Sequence, residues 1–293
     1  MIRRLLGPLA CAVAVAGCAP VDRETQITLA LESETEIPAE LDSFAVRVFA
    51  TRTGELRFSR DYFPKSGREF PTTLAVIPFD EDSLDGPLRI EVEGRKGGAA
   101  FLQRRSVLSY FKGRNVLLSL PLRMACFQFR DCGPNATCSG GQCVSAAVDP
   151  RALVDFEPRL VFAEAGSCFD EQACLAGSPE VKLEEDCTFA IPADLPEDRG
   201  NVSIRWAAAP ARLLGLESAD PQEGWTRPAK DRGRLSQGAC DSHFQRRGPD
   251  GQLLVPDRAT AVHFSAACPS KTRRAPTCFS QRTLHSGIGA ISP

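Results

Sequence analysis

The stretch PLRIEVEG, residues 87–94, alternates apolar and charged side chains with a period of two. In an extended strand, Leu88, Ile90 and Val92 would lie on one face, and an arginine and two glutamates would lie on the other. This alternation is typical of a strand that buries one face against a core and leaves the other in water. It predicts β structure for this part of the chain.

Six further segments between residues 24 and 124 have strand-like patterns, with turn residues between them. They are TQITLALES, SFAVRVFAT, GELRFSRDYF, TTLAVIPF, AAFLQRRSVLSYF and RNVLLSLPLR. The sequence RKGG at 95–98 predicts a hairpin turn, because glycine adopts a positive φ at little steric cost. About seven strands at this spacing predict a mainly β chain that begins with an antiparallel sandwich. In outline, residues 24–124 resemble immunoglobulin-like and transthyretin-like sandwiches, and no motif separates these two alternatives.

Four cysteines crowd the next segment, 125–144, which contains CFQFRDCGPNATCSGGQCV. So short a segment buries no core of its own and needs cross-links to fold. DCGPNATC followed by GQC resembles part of an EGF-like module, and that resemblance implies the pairs Cys126–Cys138 and Cys132–Cys143. The resemblance is partial, because full EGF-like modules have six cysteines. A zinc knuckle is the alternative, although the C-x₂-C pairs typical of zinc sites are absent here.

The rest of the chain predicts a linker over 145–158, a second, disulfide-rich β domain over 159–280 and a flexible tail over 281–293. The candidate strands of the second domain are RLVFA, PEVKLEE, CTFAIP, NVSIRWAAA, ARLLGL and ATAVHFSAAC. Its loops are long, above all at 217–257, so disulfides are expected to stabilise it. Six cysteines are available, and the sequence does not choose among their pairings: Cys168, Cys174, Cys187, Cys240, Cys268 and Cys278.

The N-terminus has two arginines followed by an apolar run, which is typical of an export signal and is too short to cross a bilayer. The run ends in VAGC, residues 15–18, which resembles the lipobox of bacterial lipoproteins. That resemblance implies a signal peptide over 1–17, an acylated Cys18 thiol and a tether over 18–23. In lipoproteins an aspartate after the cysteine favours the inner membrane, so Ala19 implies the outer membrane, facing the periplasm or the cell surface. An ordinary secreted protein is the alternative.

The cysteine count and the net charge agree with export. Of the twelve cysteines, Cys11 would leave with the signal peptide and Cys18 would carry lipid, which leaves four in 125–144 and six in 159–280. Even groups are what an oxidising compartment requires if no thiol is to stay free. Without residues 1–17 the chain has 33 basic and 37 acidic residues. No basic excess remains to favour a nucleic-acid partner.

The sequence assigns no catalytic residue, cofactor or metal ligand, because no HExxH, GxSxG, P-loop or GxGxxG motif is present. The overall plan resembles surface lipoproteins of Gram-negative bacteria, which implies a non-enzymatic binding or structural module held at the bilayer by Cys18. A protein or carbohydrate ligand is expected, and Trp225 in DPQEGWTRP is the candidate ligand contact. One alternative is a tethered hydrolase that uses Asp241 and His243 in the loops of 217–257. Another is an accessory subunit of an envelope complex.

Overall fold

A computed structural model describes residues 24–35, 37–65, 70–79, 84, 86–126, 132–162, 169–206, 212–244 and 259–272. Within these ranges the chain is mainly β, as the sequence predicts, with fifteen strands and two short α-helices. No helix in the described ranges is long and apolar enough to span a membrane. The predicted signal peptide, Cys18, the tether and the tail at 281–293 lie outside the described residues.

Among the described residues, seven strands form the sandwich, and each coincides with one of the seven predicted segments, although the strand at PLRIEVEG continues to Lys96. They are β1 (Gln26–Ser33), β2 (Ser43–Ala50), β3 (Leu56–Tyr62), β4 (Thr72–Val76), β5 (Leu88–Lys96), β6 (Ala99–Leu108) and β7 (Asn115–Leu122). The predicted hairpin turn is confirmed, since Gly97 and Gly98 join β5 to β6 with φ values of +56° and +78°. The seven strand predictions are therefore confirmed.

The strands pair in two sheets, with the orders β4-β1-β7 and β3-β2-β5-β6. One pair departs from the antiparallel prediction, because β7 enters beside β1 in the same direction and the two strands are parallel. The order also decides between the two sandwich alternatives. In immunoglobulin sandwiches the first two strands are neighbours in one sheet, whereas β1 here lies between β4 and β7. The immunoglobulin-like alternative is therefore wrong, and the transthyretin-like alternative stands.

The sandwich core lies between the two sheets, and the apolar face of PLRIEVEG faces into it, with Ile90 and Val92 buried. The opposite face of this strand is covered as well. Glu91 is buried there and accepts a hydrogen bond from Arg105 Nε at 2.8 Å. The Arg105 guanidinium also donates to the Ala136 carbonyl oxygen at 3.2 Å, so the cysteine-rich segment contacts the side chains of this face. The alternation thus predicts the strand correctly but not the covering of its polar face.

The described part of the cysteine-rich segment contains a 3₁₀ turn (Met124–Cys126) and a hairpin of β8 (Ala136–Ser139) and β9 (Gln142–Ser145). The chain that follows, predicted as a linker, bonds to the sandwich. The Val107 amide donates to the Ala146 carbonyl oxygen at 2.7 Å, and the Phe156 amide donates to the Asn115 carbonyl oxygen at 2.8 Å. This segment therefore extends along the edges of both sandwich sheets.

In its described residues the second domain contains two three-stranded sheets, with the orders β10-β14-β13 and β12-β11-β15, and two short helices. Its elements are α1 (Glu171–Leu175), β10 (Thr188–Ala190), β11 (Arg199–Trp206), β12 (Arg212–Leu216), β13 (Trp225–Ala229), β14 (Arg232–Leu235), α2 (Gln237–Phe244) and β15 (Ala259–Pro269). Its core is built around Trp206, Phe189 and Ile204.

Four of the six strand predictions for this domain are confirmed, since a strand coincides with most of the described part of CTFAIP, NVSIRWAAA, ARLLGL and ATAVHFSAAC. The other two are wrong. RLVFA begins in a 3₁₀ turn that starts at Pro158, and PEVKLEE has only an isolated bridge between Glu180 and His263. Proline precedes the first segment and begins the second, and its missing backbone donor weakens strand pairing. Strands β13 and β14 form where a loop is predicted.

The two ends of the sandwich have different neighbours. At one end, which we call the N-terminal pole, β1 and β7 both begin, and the Gln26 amide donates to the Arg114 carbonyl oxygen. This pole also holds the end of β4, because Val76 pairs with Ile27 near the start of β1. The register of the other sheet places the hairpin between β2 and β3 there too. At the opposite end, the junction pole, β7 ends and leads to Arg123.

Candidate functional site

The chain leaves the sandwich at Leu122-Arg123-Met124, where consecutive side chains enter different environments. Leu122 belongs to the sandwich core, and Met124 belongs to the core of the second domain. Arg123 lies between them and is also buried. One short segment is therefore packed into both domains at once, and we call its surroundings the junction.

Four glutamates surround the Arg123 guanidinium, two from the sandwich side and two from the second domain. Nη2 lies 2.6 Å from Glu217 Oε1, and Nη1 lies 3.1 Å from Glu34 Oε1. Nε lies 3.5 Å from Glu223 Oε2, and Nη2 lies 3.6 Å from Glu32 Oε2. Charge-assisted contacts of this kind fix an orientation as well as a distance. Arg123 therefore connects the two domains electrostatically.

A second arginine connects the same cluster to the sandwich and the cysteine-rich hairpin. Arg104 Nη1 on β6 donates to Glu223 Oε1 at 2.6 Å, and the Ser139 hydroxyl on β8 donates to the same oxygen at 2.8 Å. Arg104 also donates to the Cys138 carbonyl oxygen. Glu223 therefore joins the sandwich, the hairpin and the second domain at one carboxylate.

The electrostatics of the junction favour the charged forms. Burial alone would lower the pKa of Arg123, but the surrounding carboxylates, Glu34 and Glu217 first, outweigh burial and raise the pKa further above its usual value. Burial alone would raise the pKa of Glu223, but the charges of Arg104 and Arg123 outweigh it and lower that pKa. Removing either charge would leave its partners buried without compensation, which is costly.

Two glycines allow the hairpin and the second domain to meet through their backbones. A side chain at Gly238, the second residue of α2, would overlap the carbonyl oxygen of Gly140 in the turn between β8 and β9. Gly140 has a φ of +56°, and a side chain there would overlap the Gln222 carbonyl oxygen. Both positions require glycine because the two backbones are in direct contact.

The structure contains the disulfides Cys126–Cys138 and Cys132–Cys143, which are the two pairs that the EGF-like resemblance implies. Cys126 and Cys138 also belong to the buried sandwich core. Cysteines joined in this way do not supply thiolate ligands, so the zinc-knuckle alternative finds no support at these four sulfurs. The hairpin is therefore cross-linked and packed against the sandwich.

In the second domain, Cys174 of α1 is joined to Cys268 of β15, and Cys187 is joined to Cys240 of α2. These bonds close long loops, with separations of 94 and 53 residues. Cys168 and Cys278 lie outside the described residues.

Trp225, the predicted ligand contact, does not lie on an exposed loop. It begins β13 and is only 3% exposed. Its ring packs against Phe189, with ring centroids 6.1 Å apart, and edge-on against Phe264 at 6.5 Å. The prediction of a ligand contact fails because pairing with β14 turns the aromatic ring into the domain core. This arrangement leaves the ring no free face for a sugar or a peptide.

The hydrolase alternative requires Asp241 and His243 to act together, and the structure separates them. Both lie on α2, two residues apart, so their side chains point about 200° apart around the helix axis. Asp241 accepts a hydrogen bond from Gln237 Nε2 at 2.7 Å. Burial lowers the pKa of His243, against the opposing charge of Glu180. The described part of the 217–257 segment therefore contains no acid–base pair at these positions.

A metal centre is equally unsupported, because the described ranges contain no cluster of three or more histidine, cysteine or acidic side chains that could hold a metal ion. The carboxylates at the junction face arginine guanidinium groups instead. The residues that define the junction were not among the predicted site residues. Their signal in the sequence is an arginine within an apolar run, at Leu122-Arg123-Met124.

No protein-family model and no curated protein matches the sequence. Among solved structures, part of the chain is similar to a crystal structure named "putative polysaccharide binding proteins" from Bacteroides thetaiotaomicron. The sequence identity is 11%, the TM-score is 0.23, and the match covers 34% of this chain and 47% of that chain. A likeness this low carries no conclusion about function.

Proposed function

We propose that this chain is an exported bacterial lipoprotein, anchored in the outer membrane through acyl groups on Cys18, which acts as a non-enzymatic binding or structural module at the cell envelope. The observation that carries the proposal is VAGC at 15–18, directly behind a basic and apolar leader. The four disulfides among the described residues support it independently, because such bonds persist in oxidising compartments.

The arrangement of the domains favours a spacing role for the sandwich. The chain enters the sandwich at the N-terminal pole, after the tether, and leaves it at the junction pole. The eight residues of β1 separate these poles by about 26 Å, at roughly 3.3 Å per residue. The buried charges of the junction fix the second domain on the sandwich. The sandwich would therefore hold the second domain at a set distance from the membrane.

The second domain is the part of the protein that this arrangement presents to a protein or carbohydrate ligand. Its surface includes the chain between β12 and β13, which also contributes Glu217 and Glu223 to the junction. No described residue is assigned to the ligand, since Trp225 is buried. Of the proposed partners, only the bilayer has a particular residue assigned to it, which is Cys18.

The anchor is tested by expressing the full chain in a Gram-negative host and measuring its intact mass in separated membrane fractions. Wild-type protein is expected in the outer-membrane fraction, with residues 1–17 removed, acyl groups on Cys18 and no free thiols. A Cys18→Ser variant is expected to lack acyl groups and to leave that fraction.

Cys11→Ser is the matched control, because that cysteine would be discarded with the signal peptide. It should be processed and acylated as the wild type is. An unacylated N-terminus in wild-type protein, or ten free thiols in the mature chain, would overturn the proposal.

A further inference from the structure

Four exposed large apolar side chains of the sandwich lie on β3 or just after β4. Phe79 is 88% exposed and Ile77 is 63% exposed, both just after β4, while Leu56 and Phe58 on β3 are 48% and 36% exposed. Every residue of β3 except its last is exposed. Scattered apolar residues on a surface are normal, but a group in one place marks a contact.

The topology places these four residues at one corner of the sandwich. Strands β3 and β4 are edge strands of their sheets, and both lie on the side opposite the contact between β6 and β7. Strand β4 ends at the N-terminal pole, with Val76 paired to Ile27. Strand β3 starts there, with Leu56 paired to Phe49 near the end of β2. We call this group, Leu56, Phe58, Ile77 and Phe79, the apolar corner.

The other exposed large apolar residues in the described ranges lie elsewhere. Phe63 follows β3 at the junction pole, Val154 lies along β7 and Phe162 follows the last 3₁₀ turn. Four of the seven such residues therefore share one corner, and that corner is at the pole where the tether enters the sandwich.

The tether determines what can reach this corner. Five residues lie between Cys18 and Glu24, which makes six residue-to-residue steps, and a fully extended chain spans at most about 3.5 Å per step. The N-terminal pole would therefore stay within about 21 Å of the acylated cysteine. A lipid anchor on Cys18 makes the bilayer the surface that this corner meets at the highest effective concentration.

Charges near the corner are mixed. Arg57 pairs with Glu55 at 3.2 Å, and Lys112 is exposed on the loop before β7. In the sequence, Phe79 is followed by the acidic residues Asp80, Glu81 and Asp82. This balance gives no net attraction to anionic headgroups, so a contact with lipid would depend on apolar side chains.

We propose that the apolar corner is a second membrane contact, in which Ile77, Phe79, Leu56 and Phe58 enter the boundary between the headgroups and acyl chains. This inference rests on the proposed lipid anchor, which converts a weak apolar contact into an intramolecular one. Together, the anchor and the corner hold the sandwich upright, so that the junction pole and the second domain point away from the membrane.

The test places a tryptophan in the corner of the full-length acylated chain. Phe79→Trp protein is reconstituted in phosphatidylethanolamine–phosphatidylcholine vesicles that contain brominated acyl chains, which quench tryptophan at short range. We expect about a twofold or larger loss of the added emission and a shift to shorter wavelength, both unchanged in high salt. Phe63→Trp is the matched control, because the native phenylalanine is 74% exposed but lies at the opposite pole. The emission of this tryptophan should not be quenched.

The native tryptophans give a constant background, because Trp206 and Trp225 are buried in the second domain. Flotation of the same vesicles reports anchoring separately from the contact. If Phe79→Trp protein floats with the vesicles but is quenched no more than Phe63→Trp, the second contact is overturned and the anchor stands. If the protein does not float, both proposals fail. Crosslinks from position 79 to another protein instead of lipid would show a protein interface and also overturn the inference.

Discussion

Residues 24–124 contain no cysteine, whereas residues 159–280 contain six. The sandwich has two sheets of three and four strands, and most of its strands are seven to ten residues long. The described part of the second domain has two three-stranded sheets, in which β10, β12, β13 and β14 have only three to five residues. Two of its disulfides connect helices to the rest of the domain.

This contrast shows two ways to stabilise β structure. Long strands with an alternating pattern bury one continuous core and need no cross-link. Short strands bury less per element, and cross-links then contribute by restricting the unfolded chain. The junction connects these two kinds of domain through buried charge. Each of the following changes tests one part of this comparison.

The largest effect is expected from removing the longest cross-link. A Cys174→Ala, Cys268→Ala double variant should lower the free energy of unfolding of the second domain by about 4–5 kcal/mol, because a loop of 94 residues is no longer closed in the unfolded state. Urea unfolding followed by tryptophan fluorescence measures this domain alone, since both tryptophans lie in its core.

The matched control removes the short cross-link between Cys132 and Cys143, which are 11 residues apart. This change should lower the free energy of unfolding by only about 3 kcal/mol. Hydrogen exchange in β5 should remain protected in the Cys174→Ala, Cys268→Ala variant. Equal loss of protection in β5 and in the second domain would contradict the independent stabilisation of the two domains.

A smaller effect is expected at the junction. Arg123→Met keeps the side-chain length but leaves buried carboxylates without their cation, so we expect a loss of about 3–5 kcal/mol in the free energy of unfolding. Differential scanning calorimetry should show two separate transitions where the wild type has coupled ones. Arg151→Met is the control, because its pair with Asp149 is exposed and contributes little. The interpretation fails if both variants unfold as the wild type does.

The smallest effect concerns pH. The nearby arginines lower the pKa of Glu223 in the folded protein below the ordinary value of 4.5. Its contribution to stability is therefore complete above that value and is lost as pH falls through the lower folded pKa. Thermal unfolding should show a midpoint that declines below about pH 4.5. Glu223→Gln should have a lower midpoint at neutral pH and a shallower decline, and an unchanged decline would assign the effect to other carboxylates.

The sandwich was predictable from the sequence because Leu88, Ile90 and Val92 alternate with charges, and similar patterns recur at regular spacing. The parallel pairing of β1 and β7 was not, because alternation fixes which face is buried and says nothing about the neighbouring strand. In the second domain, β13 contains a proline and β14 has only four residues, so neither is long enough to show a strand pattern, and the sequence predicts a loop around Trp225.

The junction could not be predicted from the sequence, for a different reason. Glu32, Glu34, Glu217 and Glu223 are dispersed in the sequence, and only the fold brings them to Arg123. Charged residues are buried rarely, so each one by itself is expected in solvent. A single arginine between apolar neighbours indicates an unusual environment, but it does not identify the residues that pair with it.

The parallel pairing of β1 and β7 has a mechanical consequence for a tethered protein. A force between the anchor and the second domain would enter β1 at its N-terminus and leave β7 at its C-terminus. The two strands would then be pulled along their length in opposite directions, so the bonds between them would be sheared together. Eight residue pairs, from Gln26–Asn115 to Ser33–Leu122, would share that load. An antiparallel hairpin pulled at its two ends would open one bond at a time, so this sandwich is built to resist stretching.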